Sequence, residues 1–494
     1  MLPNDTRAKL QGLSASKRAL LEQRLGGVGS PIPRRLPSEP RILSFAQQQL
    51  WLIDQIAGGS AAYNVPYPVR IEGPLSAESL EQAVNAVAAR HEILRTVFLN
   101  HNGQPVPALP KQWHIDLARV DLRNIPNHER EAEMWRLLKA DGARPFDLAR
   151  DLKLRTTLYQ IGEQEYVFHH VSHHIAWDLL SKVIFYQELG QLYDALSHGN
   201  RRSLPELPIQ YFDFALWQRN SFDEKRSSDL VSFWRRSLSN VPPHLELPPD
   251  HLRPPVQTLR GAKHMIAMTA DLIESVRARS GECNVTPFMA LLTAFKALLL
   301  CYSGQEDIVV GSPFAARPEG TERLIGIFVN TLVLRTRLAL DLTFRQAMTR
   351  VRDTTLAAMA HQDCPFQKIV EAAQPPRDLS RNTLFQVNFR VQGGPPATLD
   401  LAGLATQLLR PADNGCSKFD LALELPSSPQ SMGFFEYSTD LFERATIERM
   451  AENYYALLRA VVAEPDLRLD GLPLVRAICR SCRTTRLEAQ GALP

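Results

Sequence analysis

The segment FHHVSHHIAWDLLS, Phe168 to Ser181, gathers side chains that can move protons. His173 and His174 are adjacent, and Asp178 follows four residues after His174. An imidazole titrates near neutral pH, so it can accept a proton from a nucleophile or steady a developing charge. Adjacent residues on a strand point to opposite faces, so only one of the two histidines can face a given cavity. A His-His pair lacks the i, i+4 geometry of a helical metal site and no third ligand is evident, so no metal is expected. Asp178 taken alone reads as the N-cap of the helix that follows it.

These residues need elements to hold them. Tyr166 to Val171 is a short β-rich run that ends in the histidine cluster, and a long helical pattern follows from Leu179 to Leu196. Upstream, Ser76 caps a helix whose apolar positions Leu80, Ala83, Val84 and Val87 share one face, and Arg90 to Phe98 leads into strand-like residues. The second half repeats this logic. Thr269 precedes a helix through Leu272, Ile273 and Val276, and Thr286-Pro287 opens the apolar helix Phe288 to Leu300. Asp307 to Gly311 reads as a strand, and a last helix spans Ala445 to Val462. The repeated pattern predicts an α/β protein with two similar lobes.

The chain has 494 residues, 44% of them hydrophobic and 22% charged, which is an ordinary globular composition. The length exceeds one ordinary core and again predicts two lobes or domains. The expected division is residues 1–37, a helix (Leu13 to Leu25) and linker that is a candidate docking segment; 38–222, the first lobe; 223–475, the second lobe; and 476–494, a polar tail. A net charge of +3 with no dense Lys/Arg block argues against a nucleic-acid partner. The six cysteines are scattered, and only Cys479 and Cys482 have C-x-x-C spacing, so reduced thiols are expected. The N-terminus has no apolar signal core, and the longest apolar run, Phe288 to Tyr302, contains Lys296 and reads as a buried core helix. A cytoplasmic protein with no membrane association is therefore expected.

Seven motifs carry a family resemblance, in the family's order. They are SFAQQQLWLIDQ (Ser44 to Gln55), RHEILRTVF (Arg90 to Phe98), HHIAWDL (His173 to Leu179), YFDFALW (Tyr211 to Trp217), IGIFVNTLVLR (Ile325 to Arg335), HQDCPFQ (His361 to Gln367) and RDLSRNTLFQ (Arg377 to Gln386). With these the chain resembles the condensation domains of nonribosomal peptide synthetases, whose signature is HHxxxDG. AAYNVP, Ala61 to Pro66, resembles members that accept an L-configured donor. The resemblance implies two chloramphenicol acetyltransferase-like lobes forming a V around a central substrate tunnel, with carrier proteins docking at opposite mouths.

It also implies a chemistry. An acyl or peptidyl group arrives as a thioester on the phosphopantetheine arm of a donor carrier protein, and an amine or hydroxyl attacks it directly. The chain itself binds no cofactor. The acceptor is either carried by a second carrier protein or is a small soluble molecule. His174 matches the catalytic histidine. His173 is expected to pack or hydrogen-bond, and Asp178 to be a buried carboxylate paired with arginine, with Arg317 the first choice and Arg95 the second. Asn330 and Trp217 match family positions near the lobe interface. Leu179, Trp177, Asn330 and Ser312 are expected to line the substrate tunnel.

The departures are as informative. Leu179 stands where the family has glycine, Leu180 where tryptophan is usual, and Gln49 where arginine is usual. Leucine adds bulk where a thin arm would approach the backbone, so a compact diffusible acceptor is expected. Neither an adenylation signature nor a carrier-protein serine motif accompanies the domain, which favours a free-standing chain. The competing readings are an epimerase of the same fold, a condensation-like platform that only recruits another enzyme, and an acyltransferase using soluble thioesters. HQDCPFQ and RDLSRNTLFQ resemble condensation members rather than epimerases.

Overall fold

A computed structural model describes residues 32–472 and 475, apart from 201–203, 223, 377, 394–396 and 430. The first half contains α1 (Phe45–Ala57), β1 (Asn64–Glu72), α2 (Ala77–Arg90), β2 (Val97–His101), β3 (Gln104–Ala108), β4 (Leu117–Asp121), α3 (Asn127–Gly142), β5 (Leu154–Gln160), β6 (Glu165–His173), α4 (Leu179–Ser197) and α5 (Tyr211–Ser221). The second half contains α6 (Glu224–Ser237), β7 (Gly261–Ile266), α7 (Ala270–Glu282), α8 (Pro287–Ser303), β8 (Asp307–Ala315), β9 (Val329–Arg337), α9 (Phe344–Ala360), α10 (Phe366–Ala373), β10 (Val387–Val391), β11 (Ala405–Leu408), β12 (Leu421–Leu425), β13 (Gly433–Ser438) and α11 (Arg444–Ala463).

Local chemistry starts these helices where the sequence says. Ser76 accepts from the Ser79 amide, Thr269 from Leu272 and Thr286 from Met289, each satisfying an orphan donor of a first turn. Pro287 occupies the first turn of α8 at no hydrogen-bond cost. Leu80, Ala83, Val84 and Val87 are all fully buried on one face of α2. Helix α8 is buried from Met289 onward, as its apolar sequence requires, and its Lys296 is satisfied by Leu334 O and Thr336 Oγ1, each at 2.7 Å. Among the described residues no single helix is long and apolar enough to cross a membrane.

The strands form two main sheets. One has five strands in the order β11-β1-β6-β5-β4, and the other six in the order β7-β13-β12-β10-β8-β9; β2 and β3 make a separate hairpin. Strand β6 is central in the first sheet, antiparallel to both β1 and β5. Its residues from Val167 to His173 are all buried, so it carries the histidines inward rather than to a surface. Each sheet has its own hydrophobic core.

The chain does not divide cleanly at residue 222. Strand β11 pairs with β1, Val69 opposite Leu408 and Glu72 opposite Ala405, although it lies far into the second half. Leu399 and Leu401 just before it are buried in the first core. Leu324, Ile325, Ile327 and Phe328 also join that core from the second half. Two segments therefore cross between the lobes, and the one at 324–328 bears on the candidate site.

Candidate active site

Strand β6 ends at His173, directly opposite Asn64 of β1. The backbone then turns through a 3₁₀ segment, His174–Ala176, before Asp178 starts α4. His174 thus lies on a turn rather than on the strand, and the two histidines separate because the chain changes direction between them. His173 is buried, and its Nδ1 accepts from the Ile175 amide at 3.1 Å, capping the turn. Phe146 packs edge-on against its ring, 5.8 Å between centroids. Burial, with the positive charge of Lys153 nearby, holds His173 neutral, well below its ordinary pKa.

The His174 ring is half-buried, and its Nδ1 stands 2.6 Å from the Trp177 carbonyl oxygen. A carbonyl can only accept, so Nδ1 carries the hydrogen and Nε2 presents a lone pair. Burial pushes the His174 pKa down to about 4, and the Lys418 ammonium pushes the same way. The ring is neutral at cellular pH.

Asp178 fills both roles weighed for it. Its Oδ1 accepts from the Ser181 amide at 2.8 Å, which is the N-cap of α4, and from Arg317 Nη2 at 2.7 Å. Its Oδ2 accepts from the Phe328 amide at 3.2 Å. Every side of this buried carboxylate is engaged, and none of its bonds runs to His174, so it supports the loop rather than serving as a second base. Arg317 completes the clamp by donating from Nη1 to Thr321 O (2.8 Å) and Leu324 O (2.9 Å), with its guanidinium 4.1 Å from the centre of the Phe328 ring. Arg95, the second choice, takes no part. It sits over the Trp113 ring with Glu92 and Arg41 as its charged neighbours, because the 3₁₀ turn Glu92–Arg95 carries it there.

Three residues expected to line the tunnel have structural partners instead. Trp177 is 1% exposed and packs against Phe185 and His170 in the first core. Ser312 is equally buried and donates to Phe389 O at 2.7 Å, bridging neighbouring strands. Asn330 donates to Gln362 O and Cys364 O, and its Oδ1 accepts from the Phe366 amide, so it holds the HQDCPFQ turn at the start of α10. Trp217 is half-buried against Phe214. Leu179, by contrast, is 51% exposed at the start of α4 and free to face an incoming molecule.

Several supporting residues were not singled out by sequence. Gln47 is fully buried and donates from Nε2 to Ile175 O at 3.1 Å, pinning the histidine turn from α1. Tyr211 donates to Ile327 O at 2.7 Å and lies 2.9 Å from Ser44 Oγ. His91 Nδ1 accepts from the Ile325 amide at 3.4 Å while Glu188 holds its other nitrogen at 2.8 Å. Ser181 Oγ meets both the amide and carbonyl of Gly326, at 3.0 and 2.9 Å. The start of the fifth motif is thus a meeting point: the first and fourth motifs reach it through Ser44 and Tyr211, the second through His91, the third through Asp178 and, just beyond it, Ser181. The sixth motif is held by Asn330, whereas Arg377 of the seventh lies outside the described residues, as do Cys479 and Cys482 and the candidate docking helix Leu13 to Leu25.

The charge next to His174 comes from the second half. Asn414 donates to Ala61 O at 2.9 Å, which fastens the loop before β12 to the start of β1. Lys418 on that loop places its ammonium 4.9 Å from the centre of the Tyr63 ring.

Comparison with known proteins identifies the family. Residues 39–477 match the condensation domain family model. The chain is 40% identical over 468 residues to a linear gramicidin synthase polypeptide of Brevibacillus parabrevis, covering 94% of this chain and 6% of that protein. It is 39% identical over 481 residues to phosphinothricin tripeptide synthetase PhsC of Streptomyces viridochromogenes, covering 95% of this chain and 44% of that one. Among solved structures, the X-domain from teicoplanin biosynthesis superposes with a TM-score of 0.81 at 26% identity, over 90% of this chain and 99% of that one. The chain spans less than half the length of these synthetases, and the fold is that of the chloramphenicol acetyltransferase-like condensation domains. This chain belongs to the condensation domain family of nonribosomal peptide biosynthesis.

Proposed function

We propose that the domain transfers an acyl group, presented as a carrier-protein thioester, to an amine acceptor, and that His174 receives the acceptor's proton. The observation that carries this reading is the 2.6 Å bond from His174 Nδ1 to the Trp177 carbonyl, which leaves Nε2 unprotonated and the ring locked in one orientation. The acceptor nitrogen attacks the thioester carbonyl carbon and the carbonyl electron pair moves to oxygen. Nε2 takes a proton from the nitrogen. The tetrahedral species collapses, the C–S bond breaks, and the departing thiolate regains the proton as the carrier's thiol. The products are an amide and a free carrier arm.

A histidine with a pKa near 4 is a weak base. It suits an amine, whose nitrogen becomes strongly acidic only after attack, better than a hydroxyl, which needs its proton removed as attack begins. His173, Asp178 and Arg317 hold the turn. The AAYNVP segment supports an L-configured donor, and the exposed Leu179 supports a small soluble acceptor rather than one borne on a second carrier arm. The experiment is intact-protein mass spectrometry of donor-loaded carriers, with and without this protein, against free and carrier-bound forms of one acceptor. Loss of the acyl mass from the carrier with matching amide formation supports the reading; a carrier that keeps its acyl group in every combination contradicts it.

A further inference from the structure

Lys182 lies one turn into α4, just beyond Leu179, and is 9% exposed. Among the described residues its ammonium has no hydrogen-bond or ion-pair partner; it stands 4.4 Å from the centre of the Tyr67 ring. The nearest acid, Glu424 of β12, is already taken: Arg390 pairs with its Oε2, and Gln392 donates to its Oε1 at 2.8 Å. The Arg390 guanidinium is engaged elsewhere as well, with the Phe434 ring 5.5 Å away and the Glu436 carboxylate among its charged neighbours. Lys182 is thus left without a carboxylate of its own, in a place mostly removed from water. A buried unpaired charge costs stability and is retained where it has a function.

Tyr67 faces the same space from β1. Burial and the Glu424 carboxylate hold its phenol protonated, so its hydroxyl is a standing donor. Both contributors come from the first half of the chain, Tyr67 from β1 and Lys182 from α4.

We propose that Lys182 and the Tyr67 hydroxyl form a subsite for a carboxylate carried by one of the domain's two substrates. The identity of that substrate rests on the condensation reading; the subsite itself does not. A carboxylate there would accept from the ammonium and the phenol and balance the Lys182 charge.

The test separates these levels. Binding of N-acetylglycine and N-acetylglycinamide is measured by calorimetry on the whole protein and on Lys182→Met and Lys182→Arg. The wild type should bind the acid about tenfold more tightly or better, Lys182→Arg should keep the preference, and Lys182→Met should lose it. Because Lys182→Met removes an unpaired buried charge, it should melt no lower than wild type, which excludes misfolding as the cause. Equal binding of acid and amide by wild type, or an unchanged preference in Lys182→Met, overturns the proposal. Turnover then assigns the substrate. Free glycine and glycinamide are compared as acceptors, and carriers loaded with glutamyl and glutaminyl groups as donors, each as the ratio of wild type to Lys182→Met so that intrinsic reactivity cancels. A Lys182-dependent ratio in the first pair assigns the carboxylate to the acceptor, and in the second to the donor. Turnover without such a ratio in either pair overturns the proposal. Acid-selective binding without any turnover would sink the condensation reading and leave the subsite standing.

Discussion

Arg317 Nη2 stands 2.7 Å from Asp178 Oδ1, and this contact joins the second half of the chain to the turn that carries His174. Asp178 caps α4 with the same oxygen and accepts from the Phe328 amide with the other. Removing the carboxylate leaves the Arg317 guanidinium buried beside Phe328 without its charge partner. Asp178→Ala should therefore lose about 3–5 kcal/mol of stability, well beyond the ~1 kcal/mol of a lost helix cap. Denaturant melts of Asp178→Ala and Asp178→Asn check this, with the amide variant losing less because it still caps. A change near ~1 kcal/mol in Asp178→Ala would mean the ion pair contributes little.

Gly326 packs where no side chain fits. A Cβ there would lie 2.0 Å from Tyr211 Cδ2, in the segment held by Ser181, Tyr211 and Asp178. Gly326→Ala should cost about 1–3 kcal/mol through overpacking and lower turnover as the Ser181 link is displaced. Melting temperature and steady-state rate measured together test both parts, and an unperturbed variant would show the segment to be more yielding than its contacts imply.

The histidines make stability depend on pH. Burial lowers the pKa of His170 and His173 well below the ordinary 6.5 and that of His174 to about 4. The unfolded chain binds these protons near pH 6.5 and the folded chain only at lower pH. Their contribution is therefore full above about 6.5 and is lost as pH falls toward 4, up to about 3 kcal/mol for His174 alone. Denaturant midpoints between pH 7.5 and 5 should fall with pH, and the slope should flatten in His173→Gln. A flat profile across that range would contradict neutral burial.

Leu179 is exposed at the first position of α4, next to the turn that carries His174. Leu179→Gly should change the KM for the acceptor severalfold while leaving the KM for the donor carrier near wild type. Because helix starts tolerate glycine, the fold should lose under about 1 kcal/mol. An equal shift in both KM values would remove Leu179 from the acceptor side.

What was legible in the sequence was the backbone logic and the chemistry it carries. The pairing of Asp178 with Arg317, across 139 residues, was reached through matched motifs, and helix caps at Ser76, Thr269 and Thr286 follow from local hydrogen-bonding rules. Side-chain direction was less legible. Trp177 and Asn330 sit in matched motifs, and with Ser312 they find core or backbone partners that the sequence does not reveal. Strand β11 was invisible because four mostly exposed residues, ATQL, carry no alternation, and its pairing with β1 is imposed by tertiary structure. Gln47, Tyr211 and Lys418 emerged only when the lobes were assembled, since each acts on a segment distant in the chain.

The most direct measurement is the single-turnover rate of acyl transfer from a loaded carrier by His174→Ala, followed by intact-protein mass spectrometry. With Nε2 as the proton acceptor, the variant should be folded and slower by about 10²–10⁴-fold. His173→Ala should be less stable but keep more activity per folded molecule. A His174→Ala protein that transfers the acyl group at the wild-type rate would contradict the account, and a wild type that never discharges the carrier would point to a domain that recruits rather than catalyses.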